Sequence, residues 1–167
     1  DPMGEHEHRC FSEAMGESVE SLERFSLLYG VPDPETLANY QAVLIGGSGD
    51  YNARLDEPWL HDAMAFIRDD VIESGKPTFG VCFGLQMIGR AMGTPVVHDV
   101  DHREVGTFEV HTTEAVRDCP LFGDLPATFL AQQGHNDRLV ATPKGTIKLC
   151  ENETVPVQAF AVEGRPA

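Results

Sequence analysis

Residues 76–93, KPTFGVCFGLQMIGRAMG, constrain this chain more than any other stretch. An apolar run, residues 78–81, meets Cys82 between Gly80 and Gly84, and a helical pattern follows at once. A nucleophile on a sharp strand-to-helix turn needs neighbours without side chains two residues away on either side, because larger ones strike the adjoining strand and helix. Gly80 and Gly84 meet that need. A cysteine there lifts its sulfur clear of a sheet and sits at a helix N-terminus, whose dipole favours thiolate over thiol. The N–H of Phe83 is then free to face a developing oxyanion. The plainer alternative is a buried structural cysteine with two incidental glycines.

The surroundings suit such a corner. Trp59, Leu60, Ala63, Met64, Ile67, Val71 and Ile72 recur at three and four residues, which predicts a helix of about 16 residues, capped by Asp56 and with Pro58 in its first turn. Residues 41–47, QAVLIGG, and 77–82, PTFGVC, read as short buried parallel strands. The pattern after Cys82 ends in a glycine stop at Gly93. Helix, strand, helix, strand, helix predicts an α/β fold, a doubly wound and mostly parallel sheet flanked by helices. After Gly93, strand-like runs come at short spacing between turn residues. This half is expected to be strand-rich and partly antiparallel, an elaboration of the same sheet rather than a second domain. Residues 1–167 are therefore read as a single domain.

Charge and cysteine usage narrow the partners. A net charge of -15 argues against nucleic acid and anionic membrane surfaces, both of which recruit Lys and Arg. No apolar run approaches the ~18 residues of a membrane span, and no stretch has the order of a signal peptide. Cys10, Cys82, Cys119 and Cys150 lie far apart without a CxxC pair, so neither a disulfide framework nor a usual zinc spacing is present and a reducing cytoplasm is expected. His98 and His102, with Asp99 and Asp101, read as a surface acidic loop rather than a metal site, because on a strand-like stretch neighbouring residues point to opposite faces and the histidines and aspartates would not share one. No cofactor is implied. His6 and His8 open a polar segment read as a solvated face, and His111 as a solvent-side strand residue.

Residues 44–52, LIGGSGDYN, end the first strand in three glycines within four residues, a loop whose N–H groups can approach a ligand. On neighbouring parallel strands, this loop and the Cys82 corner would share the carboxyl edge of one sheet, where open α/β folds bind ligands. With these features together, GVCFGLQ resembles the G-[IV]-C-x-G-x-Q elbow of class I glutamine amidotransferases, and GGSGDY resembles their oxyanion loop. REVGTFEVHTTE, residues 103–114, and QGHNDRL, residues 133–139, are similar to segments of members like GMP synthetase. The likeness covers roughly residues 40–165 and implies a flavodoxin-like fold of that family.

The resemblance further implies glutamine as substrate and Cys82 as the nucleophile that forms a γ-glutamyl thioester and releases ammonia. It implies an oxyanion hole from the N–H groups of Gly47 and Phe83, and substrate contacts from Gln86 and from Asn136 and Asp137. A synthetase or other ammonia acceptor would be the partner. The family's late His-x-Glu pair, usually F-H-P-E, has no counterpart near the end of this sequence. Both ends are therefore expected to be cut, with the base beyond Ala167, a first strand before Asp1, and this piece inactive by itself. His135, with Asp137 beside it, is the best internal candidate for a base. Two alternatives remain: a non-catalytic binding or regulatory domain of the same fold, and a cysteine-type α/β-hydrolase.

Overall fold

The structure is a computed structural model that describes residues 2–167. Two short apolar segments form its parallel ladder. Strand β1 (Val43–Ile45) pairs with β2 (Thr78–Gly80) in the register Val43↔Thr78, Leu44↔Phe79, Ile45↔Gly80. One further bond, Val81 N–H to the Ile45 carbonyl at 2.9 Å, carries the pairing to the foot of the Cys82 corner. Helices α1 (Pro2–Met15) and α2 (Pro34–Ala38) precede the ladder. Helix α3 (Pro58–Ala65) follows β1, and α4 (Phe83–Ala91) follows β2. Their fully buried residues Leu60, Ala63 and Met87 join Ile67 and Val71 in the main core. Gly93, at φ 87°, ends α4 as expected.

The long helix differs from expectation in two ways. Glu57, not Asp56, holds the N-cap position and makes no side-chain cap bond, while Asp56 binds His61 Nε2 at 2.6 Å. Beyond Ala65 the helix continues as a π-helical segment, Phe66–Ile72. The apolar pairs Phe66–Ile67 and Val71–Ile72 repeat every five residues, and all four are buried. The wider π turn keeps both pairs on the core, where a 3.6-residue turn would rotate one of them away.

The second half is a separate sheet, not an elaboration of the first. Strands β4 (Glu104–Thr112), β5 (Thr128–His135), β7 (Thr146–Glu151) and β8 (Ala159–Val162) lie in the order β5-β4-β7-β8, antiparallel throughout. Burial alternates residue by residue along β5, as suits a sheet with one solvated face. This sheet has its own small core of Val110, Val116, Leu149 and Cys150. Strands β3 (Val96–His98) and β6 (Asp137–Leu139) form a separate antiparallel pair. The two halves are joined where Val162 and Phe160 of β8 pack on the main core and Thr78 N–H bonds the Pro166 carbonyl at 2.7 Å.

Candidate active site

The corner at Cys82 has the geometry its sequence demands. Cys82 sits at φ 52°, ψ -104°, and is the only non-glycine residue at positive φ among the described residues. A Cβ on Gly80 would lie 2.7 Å from the backbone of Gly84, and one on Gly84 would run into the Ile45 carbonyl. Helix α4 is thus pressed against both strands, and Gly84 N–H bonds the carbonyls of Val81 at 2.8 Å and Gly46 at 3.1 Å. Only glycine permits this approach, and the approach forces the strained backbone at Cys82.

Cys82 as a residue is exposed, yet its thiol is held above the ordinary range. Crowding by protein atoms contributes most, and the carboxylates of Glu7 and Asp137 add to it, while the Phe83 N–H bond to the sulfur opposes them. This reverses the expectation that the helix terminus alone would favour the thiolate. One N–H dipole does not outweigh desolvation and two negative charges. Phe83 is otherwise anchored by its ring, which is buried and stacked on Trp59 at 6.5 Å.

The N–H of Gly47, expected to be an oxyanion donor, is engaged. It donates to Glu7 Oε1 of helix α1 at 2.5 Å. The segment read as a solvated face therefore reaches the glycine loop after β1. Its histidines turn elsewhere, His8 to the Leu22 carbonyl at 2.7 Å and His6 to the Cys10 sulfur at 3.7 Å, while Glu7 between them points inward. The i,i+1 offset on a helix separates the three side chains.

Asp137 is the hub of the opposite wall. Its carboxylate accepts from Arg54 Nε at 2.9 Å and pairs with His98 Nδ1 at 2.7 Å, and its carbonyl accepts from the Gln86 amide at 2.8 Å. Gln86 is buried, so its visible role is to hold Asp137 from beneath. Asn136 is exposed, and its carbonyl accepts from Asp99 N–H at 2.9 Å. His98 is thus a wall residue rather than part of a surface loop, placed by the β3–β6 register that sets it opposite Asp137. His102 turns away to Asp99, which Arg138 also grips. The two hold the Asp99 carboxyl down at about 2, His102 having the larger effect.

His135 does not pair with Asp137. Its Nε2 lies 3.0 Å from Glu104 Oε2, and Glu104 is fully buried with Asn152 and Gln158 as its other partners. That cluster braces the second sheet. No histidine among the described residues hydrogen-bonds the Cys82 sulfur, and no group of three or more His, Cys, Asp or Glu side chains is arranged to hold a metal. A cleft of about 570 Å³ lies at the amino end of β2, between Leu37, Asp69 and Lys76, away from the corner. No described helix is long and apolar enough to cross a membrane.

Sequence reasoning missed Glu7, Arg54 and His98. Glu7 and Arg54 belong to no local pattern and His98 was read only with residues 99–102, whereas each reaches the site through contacts 39 to 83 residues distant in the chain.

Comparison with known proteins bears on this geometry. A sequence profile described as glutamine amidotransferase class-I matches residues 11–165. The chain is 38% identical over 93 residues to the glutamine-hydrolyzing GMP synthase of Aliivibrio salmonicida, a match covering 56% of this chain and 17% of that protein. The corresponding enzyme of Thermomicrobium roseum is 37% identical over 91 residues, covering 54% of this chain and 16% of the relative. The chain therefore spans less than a fifth of the length of these curated relatives. A glutamine amidotransferase from Methylobacillus flagellatus has a similar fold, with a TM-score of 0.72 over 93% of this chain and 59% of that one at 21% identity.

Proposed function

Because the chain belongs to the class-I glutamine amidotransferase family, we propose that Cys82 attacks the side-chain amide of glutamine. The sulfur bonds to the amide carbon, the C–N bond breaks, and ammonia leaves. Water then hydrolyses the γ-glutamyl thioester to glutamate and restores the thiol. The thiol proton must pass to a base and return to the departing nitrogen. The single observation that carries this reading is the strained elbow, where Cys82 is the one non-glycine residue at positive φ among the described residues.

The N–H groups of Phe83 and Gly47 would receive the oxyanion. Asp137, with Asn136 beside it, would hold the α-amino end of glutamine, and Gln86 would support that wall from beneath. The names of the GMP synthase relatives favour a synthetase as recipient of the ammonia. Residues 1–167 are read as one amidotransferase-like domain. Family membership removes the case for a cysteine-type α/β-hydrolase.

One second reading has a specific observation behind it. The raised thiol, with no described histidine bonded to it, also suits a domain that binds a carboxamide without turning it over. Glutamate release from glutamine separates the two. The full-length protein is expected to release glutamate, Cys82→Ser to reduce this to background, and a glutamine-analogue electrophile to add its mass to the Cys82 peptide. Labelling without glutamate release would favour the binding domain. Neither labelling nor release would remove the amidotransferase reading.

A further inference from the structure

Glu7 lies outside the residues that match the family, 11–165, yet its carboxylate is hydrogen-bonded to Gly47 of the candidate site. Its Oε1 accepts the Gly47 N–H at 2.5 Å, the donor assigned to the oxyanion. The missing side chain at Gly46 makes the room, since a Cβ there would overlap both carboxylate oxygens and the carbon between them. The same carboxylate is close enough to Cys82 to disfavour its thiolate.

The chemistry of the occupant matters. A glutamate side chain is the glutamine side chain with oxygen in place of the amide nitrogen. It is also the side chain that hydrolysis would leave behind. We infer that helix α1 is a built-in blocker of this site, its Glu7 carboxylate filling the seat at Gly47 N–H that the carboxamide oxygen of a substrate would take. The inference rests on the reading of Gly47 as an oxyanion donor.

The helix is held in a way that allows release. Ser12 is its only buried residue among the described side chains. Two of its anchors, His8 to the Leu22 carbonyl and Ser12 Oγ to the Glu17 carbonyl, tie it to the segment that directly follows. Helix and segment can therefore swing as one piece, and a competing carboxamide displaces a single hydrogen-bonded side chain.

The test is the alkylation rate of Cys82, read peptide by peptide on the folded protein with iodoacetate and iodoacetamide. Glu7→Ala is expected to accelerate the iodoacetate reaction about tenfold, equivalent to ~1.4 kcal/mol. Glu7→Gln keeps the size but not the charge, so its gain should be larger with anionic iodoacetate than with neutral iodoacetamide. Gly46→Ala evicts the carboxylate with α1 unaltered and should match Glu7→Ala. It is the deciding variant if Glu7→Ala loosens the fold, which reaction of buried Cys150 would reveal. No acceleration of Cys82 in Gly46→Ala overturns the inference. Glutaminase assays on the same variants keep the two readings apart. Faster alkylation without turnover in any variant leaves the blocker standing and removes the enzyme. Turnover with an unchanged KM in Glu7→Ala removes the blocker and leaves the enzyme.

Discussion

Cys82 is held by two opposed demands. The elbow pushes its sulfur outward, while crowding and two carboxylates keep the proton on it. The sign of the pH dependence follows. The thiolate is the reacting form, and its folded-state pKa lies above the usual ~8.5. Alkylation of Cys82 should therefore keep rising through the pH range where an ordinary thiol has levelled off, and the curve should shift to lower pH in Glu7→Ala. A pH–rate profile by peptide mass spectrometry checks both, and a profile that levels near the ordinary thiol value contradicts the electrostatic account. At this scale the sequence was most informative where the cause is steric and local. Gly80, Cys82 and Gly84 lie within one turn, and the collisions that forbid other residues involve their immediate strand and helix. Glu7 was illegible because nothing near it in the chain reports that it will meet Gly47, 40 residues on.

Among the elements, the second sheet shows most plainly what ties distant strands together. Glu104 of β4 is fully buried and bonded to His135 of β5 and to Asn152 and Gln158 between β7 and β8. Removing a buried, multiply hydrogen-bonded side chain while leaving its partners in place costs about 3 kcal/mol. Glu104→Ala should lower unfolding stability by about that amount, read from the midpoint of urea denaturation, with alkylation of Cys82 little changed below the transition. A loss under ~0.5 kcal/mol would place Glu104 with ordinary surface residues. The strands of this half were legible as apolar runs between turns, but their partners were not. Register depends on which face is buried, and the β3–β6 pairing that sets His98 opposite Asp137 joins residues 39 apart. The same limit hid the π-helical stretch, since the five-residue repeat of Phe66–Ile67 and Val71–Ile72 also satisfies a loose helical pattern.

Over the whole molecule, stability is unevenly spread. The core under β1, β2 and α4 contains most of the buried apolar side chains, whereas α1 buries little of itself. Hydrogen exchange should follow that division, with amides of residues 3–15 exchanging first and those of β2 and α4 last. Slow exchange across α1 would contradict this uneven spread of stability. The α/β class was readable from the alternation of helices with apolar runs. The separate second core was not, because a change of sheet leaves no mark in periodicity. The tethered Glu7 carboxylate has a quantitative consequence. An intramolecular ligand cannot be diluted, and its effective concentration is set by the chain, on the order of millimolar for short flexible links. A free carboxamide meets only the fraction of molecules whose seat is empty, so its apparent dissociation constant is its intrinsic one divided by that fraction. The binding curve is displaced to higher concentration without becoming sigmoidal. A chain built this way sets its own working range of ligand, and a single substitution at Glu7 would reset it.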